Sequence, residues 1–125
     1  MFIRFNANPS GRRTTDCVIR AIAVLTDRSW DDTYIDIFNW GFYLKDMPSA
    51  NKLWGSYLRT HGFKQIQLPD SCPDCYTVRD FCNDHPFGRY LLATGTHVVA
   101  VIDGNYIDTW DSGDEVPISF WVKEN

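Results

Sequence analysis

Cys17, His97 and two aspartates, Asp108 and Asp111, are the residues of this chain whose types and order could carry covalent chemistry. A thiol in the first turn of a helix sits among backbone N–H groups that lack an intrahelical partner, where the helix dipole stabilises negative charge. That setting lowers a thiol's pKa and raises the reactive thiolate fraction. The stretch Asp16-Cys17-Val18-Ile19-Arg20-Ala21-Ile22-Ala23-Val24-Leu25 reads as such a helix. Asp16 is a good N-cap, and the residues after Cys17 are apolar almost all round, so the helix is expected in the core. Arg20 is its one charge before Asp27. A lone cysteine near a core helix is more often packing than chemistry. The residues downstream shift that balance.

His97 opens the apolar run Val98-Val99-Ala100-Val101-Ile102, and Asp103-Gly104 then signals a hairpin turn. The return strand, Tyr106 to Trp110, brings an aspartate back beside the histidine. Which one depends on the turn. A two-residue loop pairs Ile102 with Asn105 and makes Asp108 the diagonal neighbour of His97; a three-residue loop with a bulge puts Asp111 there instead. Nucleophile, base and carboxylate then have one division of labour. Cys17 attacks, His97 holds it as thiolate and later protonates the leaving group, and the aspartate orients the imidazole. An oxyanion hole would use the Cys17 backbone N–H and a side-chain amide from the preceding loop, with Asn6 and Asn8 as candidates. Asn8 before Pro9 is equally a turn former.

The elements that must position these groups follow from pattern. Phe2 to Phe5 reads as a short edge strand, and Asn6 to Thr15 as a loop. Ser29 with Asp32 begins a second helix, whose stripe Trp30, Tyr34, Ile37, Phe38 and Leu44 is expected in the core. Ser49 should cap a third helix carrying Leu53, Trp54, Tyr57 and Leu58, ended by His61-Gly62. Phe63 to Leu68 alternates as a strand, and Thr77 with Asp80 starts a short helix before Pro86. From Tyr90 the period turns extended, with strands at Tyr90–Ala93, His97–Ile102, Tyr106–Trp110 and Ile118–Val122. Helices first and an antiparallel strand meander last is the α+β pattern, here in one domain over residues 1–125.

Composition narrows the function classes. The 125 residues are 44% hydrophobic and 15% aromatic, which describes an ordered domain. A net charge of −4 argues against a nucleic-acid binder, and Arg12-Arg13 is the one adjacent basic pair. No apolar run approaches the roughly 20 residues of a membrane span, and the first residues have no signal-peptide h-region. The expected setting is therefore cytoplasmic, with reduced thiols. Cys72, Cys75, Cys82 and His85 spell C-x₂-C-x₆-C-x₂-H, a donor set that could close around structural zinc. The second spacing is short for such a module, and Cys72 to Cys75 is read as a loop with two incidental thiols; no metal or other cofactor is expected.

The order Cys, His, Asp, with a helical half before an antiparallel sheet, resembles the papain-like cysteine peptidase superfamily. More narrowly, Asp16-Cys17-Val18-Ile19-Arg20-Ala21, His97 to Gly104 and Asp108-Thr109-Trp110-Asp111 are similar to small bacterial and phage-encoded proteins counted in that superfamily. The resemblance covers most of the chain, including Trp30, Lys45-Asp46-Met47-Pro48 and Thr77-Val78-Arg79-Asp80-Phe81. It implies a papain-like fold and a cysteine hydrolase acting on a peptide, amide or isopeptide bond of a protein or peptide substrate. It implies Cys17 as nucleophile, His97 as base and Asp111 as third member, with Asp108 open. Two departures stand: no glutamine precedes the cysteine between Gly11 and Asp16, and Val18 follows it. The alternative is a scaffold of the same kind that binds a partner without turning it over.

Overall fold

The run Val98-Val99-Ala100-Val101 is apolar on both sides of its pleat, and such a strand is stable only when both faces of its sheet are covered. The computed structural model, which describes residues 1–124, covers both. The elements in chain order are β1 (Phe2–Arg4), α1 (Cys17–Thr26), α2 (Trp30–Leu44), α3 (Asn51–Thr60), β2 (Phe63–Gln67), α4 (Val78–Asp84), β3 (Arg89–Ala93), β4 (Val98–Ile102), β5 (Asn105–Asp108) and β6 (Ser119–Lys123). The six strands form one mixed sheet in the order β1-β5-β4-β3-β6-β2. β1 runs parallel to β5, and the other pairs are antiparallel. The expected meander is β3-β4-β5; the chain then crosses past it so that β6 pairs with β3.

Alternation along the strands divides the core. Ala100, Leu91 and Trp121 meet Ile22 and Leu25 of α1, Ile37 of α2 and Leu53 and Leu58 of α3. Val99, Val101 and Leu92 point the other way, onto Val78 and Phe81 of α4. Fully burying each such side chain contributes roughly 1.5–3 kcal/mol. The helix that carries Cys17 is thus clamped between the sheet and α2. Its position relative to β4 is set by the packing of Ile22 and Leu25, one and two turns beyond the cysteine.

Local signals explain two of the four helix starts. Thr77 and Asp80 form the full capping box of α4, with Thr77 Oγ1 accepting from the Asp80 N–H and the Asp80 carboxylate accepting from the Thr77 N–H. Ser29 caps α2 by accepting from the Asp32 N–H at 3.0 Å. Three expectations need correction. α3 starts one residue later than expected, with Ala50 rather than Ser49 at its N-cap and no side-chain cap. Asp16 lends no side-chain bond to the start of α1, because its carboxylate is drawn to Arg20, Trp30 and Asn8. In α2 the buried residues are Thr33, Ile37 and Gly41, so of the expected stripe only Ile37 is core. The reason is close approach: a Cβ at Gly41 would stand 2.8 Å from the Asp46 carbonyl, so this narrow face, and not the aromatic one, fits against the chain. Tyr34, Phe38 and Leu44 are left exposed.

Candidate active site

Cys17 is the first residue of α1, and His97 directly precedes β4. Because α1 packs along β4, the helix start and the strand start meet. The His97 ring and the Val98 backbone N–H stand against the Cys17 thiol and favour its ionised form. On the far side of the ring, Nε2 lies 2.6 Å from Asp108 Oδ2, which leaves Nδ1 as the nitrogen that meets sulfur. Asp108 is buried, and its carboxylate also accepts from Ser112 Oγ at 2.8 Å and from the Thr109 N–H at 2.8 Å. Three groups expected from separate parts of the chain thus stand in a line.

The hairpin explains which aspartate is used. Ile102 pairs with Asn105, so the loop is Asp103-Gly104 alone, and both of these residues have positive φ (50° and 77°) as a tight two-residue turn requires. That register makes Asp108 the diagonal neighbour of His97. Asp111, the favoured third member, lies beyond the end of β5. Its carboxylate accepts from the Tyr106 hydroxyl at 2.6 Å and the Gly113 N–H at 3.0 Å, with Arg79 at 3.7 Å. Asp111 is therefore replaced by Asp108 at the histidine.

The amide candidates for an oxyanion hole are also reassigned. Asn6 accepts from the Asn8 N–H at 3.0 Å and donates to the Arg12 carbonyl at 3.4 Å. Asn8 donates to Asp16 Oδ2 at 3.3 Å and accepts from the Ser10 N–H and hydroxyl. Both build the loop before Cys17, as Asn does in turns, and neither amide is aimed at the thiol. The Cys17 backbone N–H, free of any intrahelical partner as the first of its helix, remains the available donor.

Two residues to which the sequence reading gave no role complete the site. Arg20 lies between two carboxylates, with Nε 2.9 Å from Asp16 Oδ1 and Nη1 3.6 Å from Asp108 Oδ1, and it donates to Thr109 Oγ1 at 3.0 Å. Its signal was a lone charge in an otherwise apolar helix. Ser112 had none, because only the chain's turn after β5 brings it back onto Asp108.

These contacts set the charges. Burial by itself pushes the Cys17 thiol up, but the His97 hydrogen bond, the Val98 N–H and the charges of His97 and Arg20 outweigh it, and the pKa falls below 9.0. Burial by itself lowers the His97 pKa; the bonds to Asp108 and Cys17 overcome this and push it up to about 9. Burial raises the Asp108 carboxyl, yet the His97, Ser112 and Thr109 bonds hold it below 3.8. All three shifts favour a thiolate beside an imidazolium beside a carboxylate.

The cysteines elsewhere take a different form from the one expected. Cys72 and Cys75 are joined as a disulfide, which corrects the expectation of four free thiols. Cys82 is free but buried on α4, packed with Phe81 and Val99, and burial raises its pKa. His85 stacks on Phe81 at 3.8 Å between ring centroids. Among the described residues no group of three or more His, Cys, Asp or Glu could hold a metal ion.

Two clefts flank the segment that leads into Cys17. One, of about 490 Å³, is lined by Arg12, Arg13, Arg20 and Trp110 among others, and the Trp110 ring lies 5.1 Å from that of His97. The other, of about 650 Å³, is walled by the stacked rings of Trp30, Tyr34 and Phe38, at 4.9 and 4.1 Å spacing. Arg12, Thr14, Thr15 and Asp16 line both. No protein-family model, curated protein or solved structure matches the chain. No helix among the described residues is long and apolar enough to cross a membrane.

Proposed function

We propose that this protein is a papain-like thiol hydrolase acting on an amide, peptide or isopeptide bond. The observation that carries the reading is the alignment of Cys17, His97 and Asp108, with His97 bonded to the buried carboxylate, the thiol's pKa lowered and the imidazole's raised to about 9. A cysteine kept for packing gains nothing from a charged histidine held in place by a buried carboxylate.

The chemistry follows from the geometry. The Cys17 thiolate adds to the substrate carbonyl carbon, forming the C–S bond, and the Cys17 backbone N–H faces the developing oxyanion. The C–N bond breaks as His97 passes its Nδ1 proton to the leaving amine. The neutral imidazole then takes a proton from water, whose oxygen attacks the thioester carbonyl, and the thiolate leaves with His97 again protonated. An amine in place of that water gives acyl transfer with the same residues. Asp108 keeps Nε2 engaged throughout, so the ring presents Nδ1 to sulfur.

The test is the rate of Cys17 alkylation by iodoacetamide against pH, in the intact protein and in His97→Ala, with each thiol resolved by mass spectrometry of digested protein. Cys17 is expected to react well below its ordinary range and to lose that reactivity in the variant. An inert Cys17 in both proteins sinks the reading. One observation favours a second one: both loop amides are committed elsewhere, and losing one oxyanion donor costs about 10²–10³ in rate in a protease case. A Cys17 that alkylates fast but turns over no amide substrate would identify the binding scaffold.

A further inference from the structure

The charge of the cleft beside the segment that leads into Cys17 runs against that of the chain. The protein carries a net −4, yet the cleft of about 490 Å³ is lined by three guanidiniums, Arg12, Arg13 and Arg20, against one carboxylate, Asp16. Asp16 is buried, Arg20 is partly so, and the two are paired at 2.9 Å, so they cancel. Among the described residues neither Arg12 nor Arg13 pairs with any carboxylate.

The backbone that carries them is held from both sides. Asn8 accepts from the Ser10 N–H at 3.0 Å, Ser10 Oγ accepts from the Arg12 N–H at 3.1 Å, and the Arg12 carbonyl accepts from Asn6 Nδ2 at 3.4 Å. Asp16, three residues past Arg13, is anchored to Trp30 and Arg20. A loop tied in this way brings two adjacent arginines to the cleft without neutralising them, at the repulsive cost of placing like charges side by side. Guanidiniums offer forked donors that match a carboxylate in geometry as well as charge.

Resting on the thiol-hydrolase reading, we propose that this cleft selects acidic substrates: peptides whose side-chain carboxylate is held by Arg12 and Arg13 while the scissile bond lies at Cys17. Trp110, half-exposed and against His97, supplies the flat wall along which the intervening chain lies. The aromatic groove on the other side of the loop is left for the rest of the peptide.

The test uses affinity labels in which Cys17 displaces iodide. Iodoacetyl-Glu amide, iodoacetyl-Gly-Glu amide and iodoacetyl-Gly-Gly-Glu amide walk the carboxylate away from sulfur by up to about 3.3–3.6 Å per residue. Each is compared with its Gln twin, and every rate is divided by that of iodoacetamide on the same protein. At one spacer length the Glu label is expected to react about fivefold or more faster than its twin, and the preference should shrink as salt screens the charges. In Arg12→Gln/Arg13→Gln the two labels should react alike, and Arg12→Lys/Arg13→Lys should recover part of the preference, which a loop that merely failed to fold would not do. Equal rates for Glu and Gln labels at every length, on a Cys17 that iodoacetamide does modify, overturn the inference. So does a preference that survives in the double Gln variant, since it would then belong to His97 or Arg20. A Cys17 untouched by iodoacetamide fails the thiol reading itself, and the inference falls with it.

Discussion

Cys17 and Cys82 are the same chemical group given opposite proton affinities by their neighbours. At Cys82 burial outweighs the charges of the N-terminus and Arg79, and its pKa rises. Cys17 is half-buried too, but an imidazolium, a backbone N–H and a guanidinium face its sulfur. The same contrast separates Asp108 from Asp111. Both carboxyls are held below 3.8, but Asp108 by His97 inside the core and Asp111 by the Tyr106 hydroxyl and Gly113 N–H at the surface. Asp108→Asn should therefore weaken the imidazolium, which in turn weakens the thiolate. The midpoint of Cys17 alkylation is expected to move to higher pH, whereas Asp111→Asn should leave the curve where it is. A curve that moves with Asp111 and not with Asp108 would reverse the assignment.

At the scale of elements, the contest is between local and tertiary partners for the same side chain. Thr77 finds its partner three residues away, so the capping box of α4 forms as the sequence suggests. Asp16 has an equally good local signal, yet Arg20, Trp30 and Asn8 outbid the free N–H groups of α1. The outcome matters for function, because Asp16 then fixes Arg20 and Arg20 fixes the far side of Asp108. Removing a cap of the Thr77 kind costs about 1 kcal/mol, within a range of roughly 0.5–2. Thr77→Ala should lower the unfolding free energy read from urea titration by that amount and leave Cys17 alkylation unchanged, since α4 packs on the sheet face that holds the second core. A loss of Cys17 reactivity in this variant would mean that the two faces of the sheet are not energetically separate.

For the molecule as a whole, the thiol and imidazole belong to different layers, so their pairing is coupled to folding. His97 is raised from 6.5 to about 9, and the stability this brings is full below pH 6.5 and is lost as pH rises through about 9. Cys17 is lowered from 9.0, and its contribution is present above 9.0 and lost as pH falls through its folded value. Above pH 6.5, wherever Cys17 is ionised in the fold and His97 is still protonated, the folded pair holds one proton, on His97, and the unfolded chain also holds one, on Cys17. The two slopes cancel, and the pair adds no pH dependence to stability there. Cys17→Ala removes one side of the balance while Asp108 still raises His97. Its stability should fall above about pH 6.5, over a window that closes below about pH 9 because the lift that Cys17 gives His97 is gone, with a slope of at most about 1.4 kcal/mol per pH unit relative to the unchanged protein. Urea midpoints of both proteins across that range check this, and parallel curves would show that no ion pair forms.

Much of this molecule was determined by sequence alone. The four helices and six strands follow from period and punctuation: apolar runs for α1 and β4, Ser29 and Thr77 at helix starts, Asp103-Gly104 at the hairpin. Cys17 and His97 were legible because each is a reactive type at an element boundary. What only the tertiary structure decided is what depends on competition over distance. A one-residue difference in a turn chooses Asp108 over Asp111. A tight approach at Gly41 turns the aromatic face of α2 outward, so that Tyr34 and Phe38 wall a cleft where periodicity placed them in the core. Asn6, Asn8 and Asp16 are each spent on partners from four to fourteen residues away or on one another. Residue type and spacing state what a side chain can bond to; only the packed chain decides which of several adequate partners it meets, because the bonds differ little in energy and the packing differs much.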